Sequence, residues 1–151
     1  MREVTRSALV PYSAEQMFAL VEDIEQYPQF VPWISAAKKL ESTPEQVTGR
    51  LEMHRAGVRE TFTTRNFLKR PTEMLMTLVD GPFKTFEGRW TFTPLGDRGV
   101  KVGLTIRFEF ANAMLGMLLS RSFEKNCAEM IDAFVARARS VYGAHGNDGK
   151  G

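Results

Sequence analysis

Glu52 and His54 are the first pair in this chain whose types suggest chemistry. Two residues apart in a strand, they would share a face, and a carboxylate can orient an imidazole as a general base. An exposed cross-strand arrangement of the same side chains is commoner and implies no catalysis. The second histidine, His145, stands in a Gly-rich polar tail. Cys127 is the one cysteine, inside a stretch with helical spacing. These residues cannot supply three metal ligands without recruiting carboxylates, and no carboxylate stands at a diagnostic spacing. A lone thiol also excludes an intramolecular disulfide and fits a reducing compartment. No Gly-rich phosphate loop precedes a helix. The residues nominate no enzyme, no catalytic side chain, no metal and no cofactor.

Two aromatic and proline runs are more informative: Tyr27-Pro28-Gln29-Phe30-Val31-Pro32-Trp33 and Asp80-Gly81-Pro82-Phe83-Lys84. Neither continues a helix or a central strand. Each brings large apolar rings to a connection, where they must join a core, line a pocket or meet a partner. The start of the last helix is also unusual. Ala113 to Leu119 is apolar all round, whereas a surface helix normally keeps a polar face. That turn is either buried on every side or exposed as a lip. An exposed lip suits transient membrane contact, lipid entry or a partner surface.

The elements that must position these residues follow from breakers and periodicity. Glu3 to Val10 reads as a strand stopped by Pro11. Ser13 and Gln16 form a capping box. Met17, Leu20, Val21 and Ile24 then recur at helical spacing, which predicts a short helix from about residue 14 to about 25. Pro28 and Pro32 end it, with room for a further turn around Gln29. From Ile34 to Phe110 breakers recur at Pro44, Gly57, Pro71, Gly81-Pro82 and Pro94 to Gly99, which argues antiparallel hairpins. Val100 to Phe110 alternates most clearly, with Val100, Val102, Leu104, Ile106, Phe108 and Phe110 on one side. Asn112 caps a last helix that runs to Tyr142 and stops before Gly143. Its core face holds Leu115, Leu119, Met130, Ile131, Phe134, Ala138 and Val141. Its wet face holds Arg121, Asp132, Arg137 and Arg139.

The expected fold is α+β, a curved antiparallel sheet of six or seven strands around a long C-terminal helix. Residues 1–143 form a single domain, and 144–151 form a disordered tail. The gap between a curved sheet and its helix is a natural apolar cavity. The chain has 151 residues and a net charge of +2, too little to argue for nucleic acid on charge alone. Lys38, Lys39, Arg65, Lys69 and Arg70 are scattered basic positions that fit solvated sheet faces. With no signal peptide and no apolar stretch of about 18 residues, the expectation is a soluble cytoplasmic protein, peripheral at a membrane if it touches one.

Several of these segments resemble a known family. Pro11-Tyr12-Ser13, the run from Tyr27 to Trp33, Arg59-Glu60-Thr61-Phe62 and Asp80 to Lys84 carry the likeness, with Gly88-x-Trp90-x-Phe92 and Phe108-Glu109-Phe110. Together they resemble the coenzyme Q-binding START proteins of the polyketide cyclase/START superfamily, whose fold is the birch-pollen-allergen-like helix grip. The likeness covers about residues 2 to 142. It implies a non-enzymatic lipid-binding domain holding a polyprenyl quinone such as ubiquinone between sheet and helix, in support of respiration. The family's bacterial members include ribosome-association toxins, so it also implies binding to the large ribosomal subunit and a block of subunit joining. Some helix-grip relatives are polyketide cyclases or dehydratases, which leaves an enzyme as a third alternative.

On this resemblance the ligand-binding residues are Tyr27, Phe30, Val31, Trp33, Phe62, Met76, Leu78, Phe83, Phe86, Trp90, Met114 and Leu118. Phe30, Val31 and Trp33 either roof the cavity mouth or plug the core where the short helix meets the sheet. Tyr27 could offer its hydroxyl to a quinone carbonyl or keep a core hydrogen bond. Gly81-Pro82-Phe83 is either part of the site or a plain hairpin turn with Phe83 packed nearby. Phe62, Met76, Leu78, Phe86 and Trp90 have the parity of an inward face, which ordinary core packing also explains.

Overall fold

The computed structural model describes residues 2–55 and 57–143. The expected tail, 144–151, lies outside the described residues, as does His145. Seven strands run β1 Arg2–Val10, β2 Ile34–Thr43, β3 Gln46–Arg55, β4 Val58–Lys69, β5 Glu73–Asp80, β6 Phe83–Pro94 and β7 Val100–Phe110. Each turn between β2 and β7 falls on a breaker read from the sequence. The strands form one antiparallel sheet in the order β1-β7-β6-β5-β4-β3-β2. Only the β1–β2 connection leaves its neighbours. It carries the short helix α1, Ala14–Glu22, and a 3₁₀ segment, Ile24–Gln29, to the far sheet edge.

The start of α1 is fixed by its capping box. Ser13 Oγ accepts from Gln16 N at 3.0 Å, and Gln16 Oε1 accepts from Ser13 N at 2.9 Å. Its end departs from expectation. α1 stops at Glu22 rather than near residue 25, because Asp23 adopts a non-helical backbone (φ −87°, ψ 68°). Pro28 then sits inside the 3₁₀ segment. In an α-helix its ring would clash with the carbonyl four residues back. Gly49 on β3 lets the Ile24 side chain lie directly on the strand backbone, which pins this segment to the sheet.

α2, Ala113–Tyr142, is capped by the Asn112 side chain, which accepts from Met114 N and Leu115 N. It packs on β1 and β7. Phe123, Cys127, Met130, Ile131, Phe134 and Ala138 form its buried face, a three- and four-residue spacing that matches one helical stripe. Two assignments of faces change. Val141 is 49% exposed rather than core, while the next residue, Tyr142, packs inward with its ring centre 5.8 Å from that of Tyr12. Arg137 is half-buried rather than wet, its guanidinium 5.0 Å from the Phe30 ring centre and its Nη2 donating to Gln29 Oε1 at 3.0 Å.

The inward residues of β7, β6, β5, β4 and β3 meet α2 across the concave face. Val100, Val102, Leu104, Ile106, Phe108 and Phe110 are all buried, as the alternation requires. Phe83 packs among Phe110, Phe86, Phe123 and Phe62, with ring centres 4.8, 5.2, 5.3 and 5.6 Å away. At the other end Tyr27, Phe30 and Trp90 surround Phe134 at 5.2, 5.0 and 5.0 Å.

Candidate functional site

Between those two aromatic clusters the sheet and helix do not close. Tyr27, Trp33, Leu51, Phe62, Thr64, Met76, Phe86, Trp90, Leu104, Ile106, Phe123, Cys127 and Met130 enclose an interior cavity. Its room for the centres of water-sized spheres is ≈ 40 Å³. About 10–15 Å³ suffices for one water, while pockets for drug-sized ligands run to roughly 300–1,000 Å³. A bulky ligand therefore enters only if side chains or α2 move aside.

The wall chemistry follows from strand parity. Leu51, Phe62, Thr64, Met76, Trp90, Leu104 and Ile106 lie on inward positions in adjacent register. Only Thr64, Tyr27, Trp33 and Cys127 carry polar atoms there. Thr64 Oγ1 donates to Asn66 Oδ1 at 2.9 Å, a buried pair beside the cavity. The Tyr27 hydroxyl donates to the Val21 carbonyl, so it serves the fold rather than pointing at a ligand. Burial, and then the charge of Asp23, pushes that phenol far above its ordinary range. Burial, and then Glu124, does the same to the Cys127 thiol. The wall holds no carboxylate, imidazole, ammonium or guanidinium, and neither of its ionisable groups changes charge near neutral pH. General acid–base chemistry has no agent there.

Six of the twelve residues expected to hold ligand line this cavity: Tyr27, Trp33, Phe62, Met76, Phe86 and Trp90. Phe30 is half-buried against Tyr27 and Phe134. Val31 is fully buried and plugs the core where the 3₁₀ segment meets β2. Leu78 and Phe83 belong to the adjoining packing. Met114 and Leu118 face outward from α2, away from the cavity, and stand exposed. Seven wall residues were not expected to hold ligand: Leu104, Ile106 and Met130 were read as core face, Cys127 as packed within the helix, and Leu51, Thr64 and Phe123 were not singled out. Phe123 sits four residues before Cys127 and seven before Met130, so the helical period could have found it. Leu51 and Thr64 needed the register of β3 against β4.

The remaining chemistry-bearing residues disperse. His54 is exposed, and Glu52 instead accepts from Ser35 Oγ at 2.6 Å and lies 3.8 Å from Arg59 Nε. Among the described residues no three His, Cys, Asp or Glu side chains converge as metal ligands. No described helix is long and apolar enough to cross a membrane. A roomier depression of ≈ 400 Å³ lies on the outer sheet face, lined by Glu3, Thr5, Leu75, Glu87, Arg89, Thr105 and Arg107. It is open to solvent, and its cations are already matched: Arg107 with Glu3 at 2.7 Å and Arg89 with Glu73 at 2.9 Å.

Of the five basic positions, Arg70 is paired with Glu22 and lies 5.3 Å from the Phe18 ring centre. Lys69 faces Glu73 across the β4–β5 ladder. Lys38 and Arg65 come together on the outer face with a cation not anticipated, Arg50. Lys38 is the direct partner of Arg50, and Arg65 is two residues along β4 from Thr63, the other partner of Arg50. Among the described residues none of the three forms an ion pair.

The family model described as polyketide cyclase / dehydrase and lipid transport matches residues 10–135. The chain belongs to that family. It is 46% identical to the ribosome association toxin RatA of Escherichia coli strain K12 over 144 residues, covering 95% of this chain and 91% of that one. It is 28% identical over 145 residues to coenzyme Q-binding protein COQ10 homolog B of Xenopus laevis, covering 93% of this chain and 59% of that protein. Among solved structures, the Zhui aromatase/cyclase from a Streptomyces species superposes with a TM-score of 0.81 at 22% identity, over 96% of this chain and 98% of that one. That likeness establishes the shared helix-grip fold and nothing about reaction, because fold and function separate readily. The cavity of this family member is small, mostly apolar and lined by no group that changes charge near neutral pH.

Proposed function

We propose that this protein acts on the ribosome, binding the large subunit and opposing its association with the small one. The observation that carries this reading is the 46% identity to RatA along 95% of the chain. Two physical features support it. The interior cavity is nearly filled, so the free protein is not shaped around a large ligand. The unpaired Lys38, Arg50 and Arg65 offer a compact cationic spot for RNA phosphates, which act through charge and need no base-reading pocket. The test is a sucrose-gradient profile of cell extract with and without added protein. A fall in joined ribosomes, with the protein migrating beside the large subunit, is expected. An unchanged profile with the protein at the top of the gradient overturns the reading.

A second reading is favoured by the wall chemistry and by the COQ10 relative. On it, the protein binds a hydrophobic molecule, such as a polyprenyl quinone, without transforming it. Affinity would come from apolar burial at about 25 cal/mol per Å², reduced by the cost of opening the cavity. Organic extraction of the purified protein followed by mass spectrometry tests this. Stoichiometric quinone supports it; no lipid, with no uptake of a quinone analogue, removes it. The two roles use different surfaces and can coexist.

A further inference from the structure

We propose that the amino-terminal end of α2 docks the protein transiently onto an anionic bilayer surface, a property beyond both readings above and independent of them. Met114, Met117 and Leu118 are 69%, 87% and 65% exposed. At 100° per residue they share one helix face with Arg121 and Lys125, opposite the buried Phe123 and Met130. The first helical turn carries no acidic residue. Arg121 and Lys125 are exposed, and neither forms an ion pair among the described residues.

The order of residue types along this face matches the layers of a membrane surface. The apolar group comes first, at the pole of the molecule. Arg121 follows about 6 Å along the axis from Met117, and Lys125 about 12 Å, at 1.5 Å rise per residue. An apolar helix end buried by about 5–10 Å places both cations at headgroup depth. Their long stems can reach phosphate oxygens while the apolar tip stays inserted. The β5–β6 hairpin abuts this pole, since Ala111 N donates to Pro82 O at 2.9 Å. The tip of that hairpin, residues 79–84, adds exposed Val79 and Lys84, with Asp80 as the one carboxylate of those six residues. A convex pole of flexible methionines backed by unpaired cations suits a fluid anionic surface better than a rigid protein groove, which would demand shaped complementarity.

The test is flotation of the full chain with two kinds of vesicle. One is phosphatidylcholine alone; the other contains phosphatidylglycerol at about one lipid in three. Retention on the anionic vesicles only, lost in high salt, is the expected result. Met117→Glu/Leu118→Glu is expected to abolish retention, and Arg121→Gln/Lys125→Gln to weaken it about fivefold or more per cation. All four positions are exposed, so thermal melting is expected to match the parent within a few degrees. No retention on anionic vesicles, or retention unchanged in both variants, overturns the proposal. So does loss of ribosome binding by the Met117→Glu/Leu118→Glu variant without vesicle binding by the parent, which would make this pole a ribosomal contact.

Discussion

Phe123→Ala tests whether α2 is clamped to the sheet by a rigid aromatic cluster that also walls the cavity. The Phe123 ring lies 4.7, 5.3, 5.9 and 6.4 Å from the ring centres of Phe108, Phe83, Phe110 and Phe86. It is 5% exposed. Its removal opens roughly 80 Å³ next to an existing void, costing ~2 kcal/mol at about 24 cal/mol per Å³. The lost transfer free energy of a buried ring adds ~2 kcal/mol. The expected total, ~4 kcal/mol, corresponds to a drop in Tm of ~8–16 °C for a chain of this size. Urea unfolding followed by tryptophan fluorescence reads it directly, because both tryptophans, Trp33 and Trp90, are buried at the cavity wall. The joined void is also expected to admit a small aromatic probe that the parent excludes. A loss below ~1.5 kcal/mol would mean that the neighbouring rings collapse into the space. The picture of a rigid grip around a persistent void would then be wrong.

Three further outcomes follow from the local geometry. Ser13→Ala removes the Oγ acceptor for Gln16 N and leaves the backbone N–H that donates to Gln16 Oε1, so it is expected to cost ~1 kcal/mol, seen as a lower urea midpoint. Gly81→Ala forces a side chain into φ +153° with its Cβ 2.5 Å from Phe62 Cβ, so it is expected to destabilise by more than ~1 kcal/mol. The same change at Gly96 (φ +65°), which faces open space, is expected to cost less in the same measurement. Burial raises the pKa values of Cys127 and Tyr27 above their ordinary 9.0 and 10.0, so the folded state holds these protons to higher pH than the unfolded state. Their contribution to stability is full below pH 9.0 and falls as pH rises past it, by at most about 1.4 kcal/mol per pH unit for each group. Urea midpoints between neutral and alkaline pH measure the decline, and Cys127→Ala is expected to flatten its first part.

The strand ends were legible because proline and glycine act locally. Pro44, Gly57, Pro71, Gly81 and Pro94 each fall at a turn, and the alternation in β7 named its buried side residue by residue. The length of α2 was legible for a similar reason, with Asn112 and Gly143 marking its ends. The end of α1 was not. Its stop rests on the backbone of Asp23, and the proline that could have marked it lies inside the next segment. The cavity was legible only as a parity argument. Parity says which side chains face inward, while the remaining void depends on how tightly rings such as Phe83 and Phe123 interlock. Lys38, Arg50 and Arg65 escaped notice as a group because they lie on three strands, and only the register brings them together. The exposure of Met114, Met117 and Leu118 was a choice between two outcomes that local sequence could not make.

Subunit joining is the most direct test of the proposed role. Purified large and small ribosomal subunits would be mixed under joining conditions, with the protein titrated to stoichiometry and joining followed by light scattering. Inhibition that saturates near one protein per large subunit, and weakens in Lys38→Gln/Arg50→Gln/Arg65→Gln, is the expected result. Joining unaffected by excess folded protein would contradict the ribosomal account and leave the apolar cavity as the seat of function.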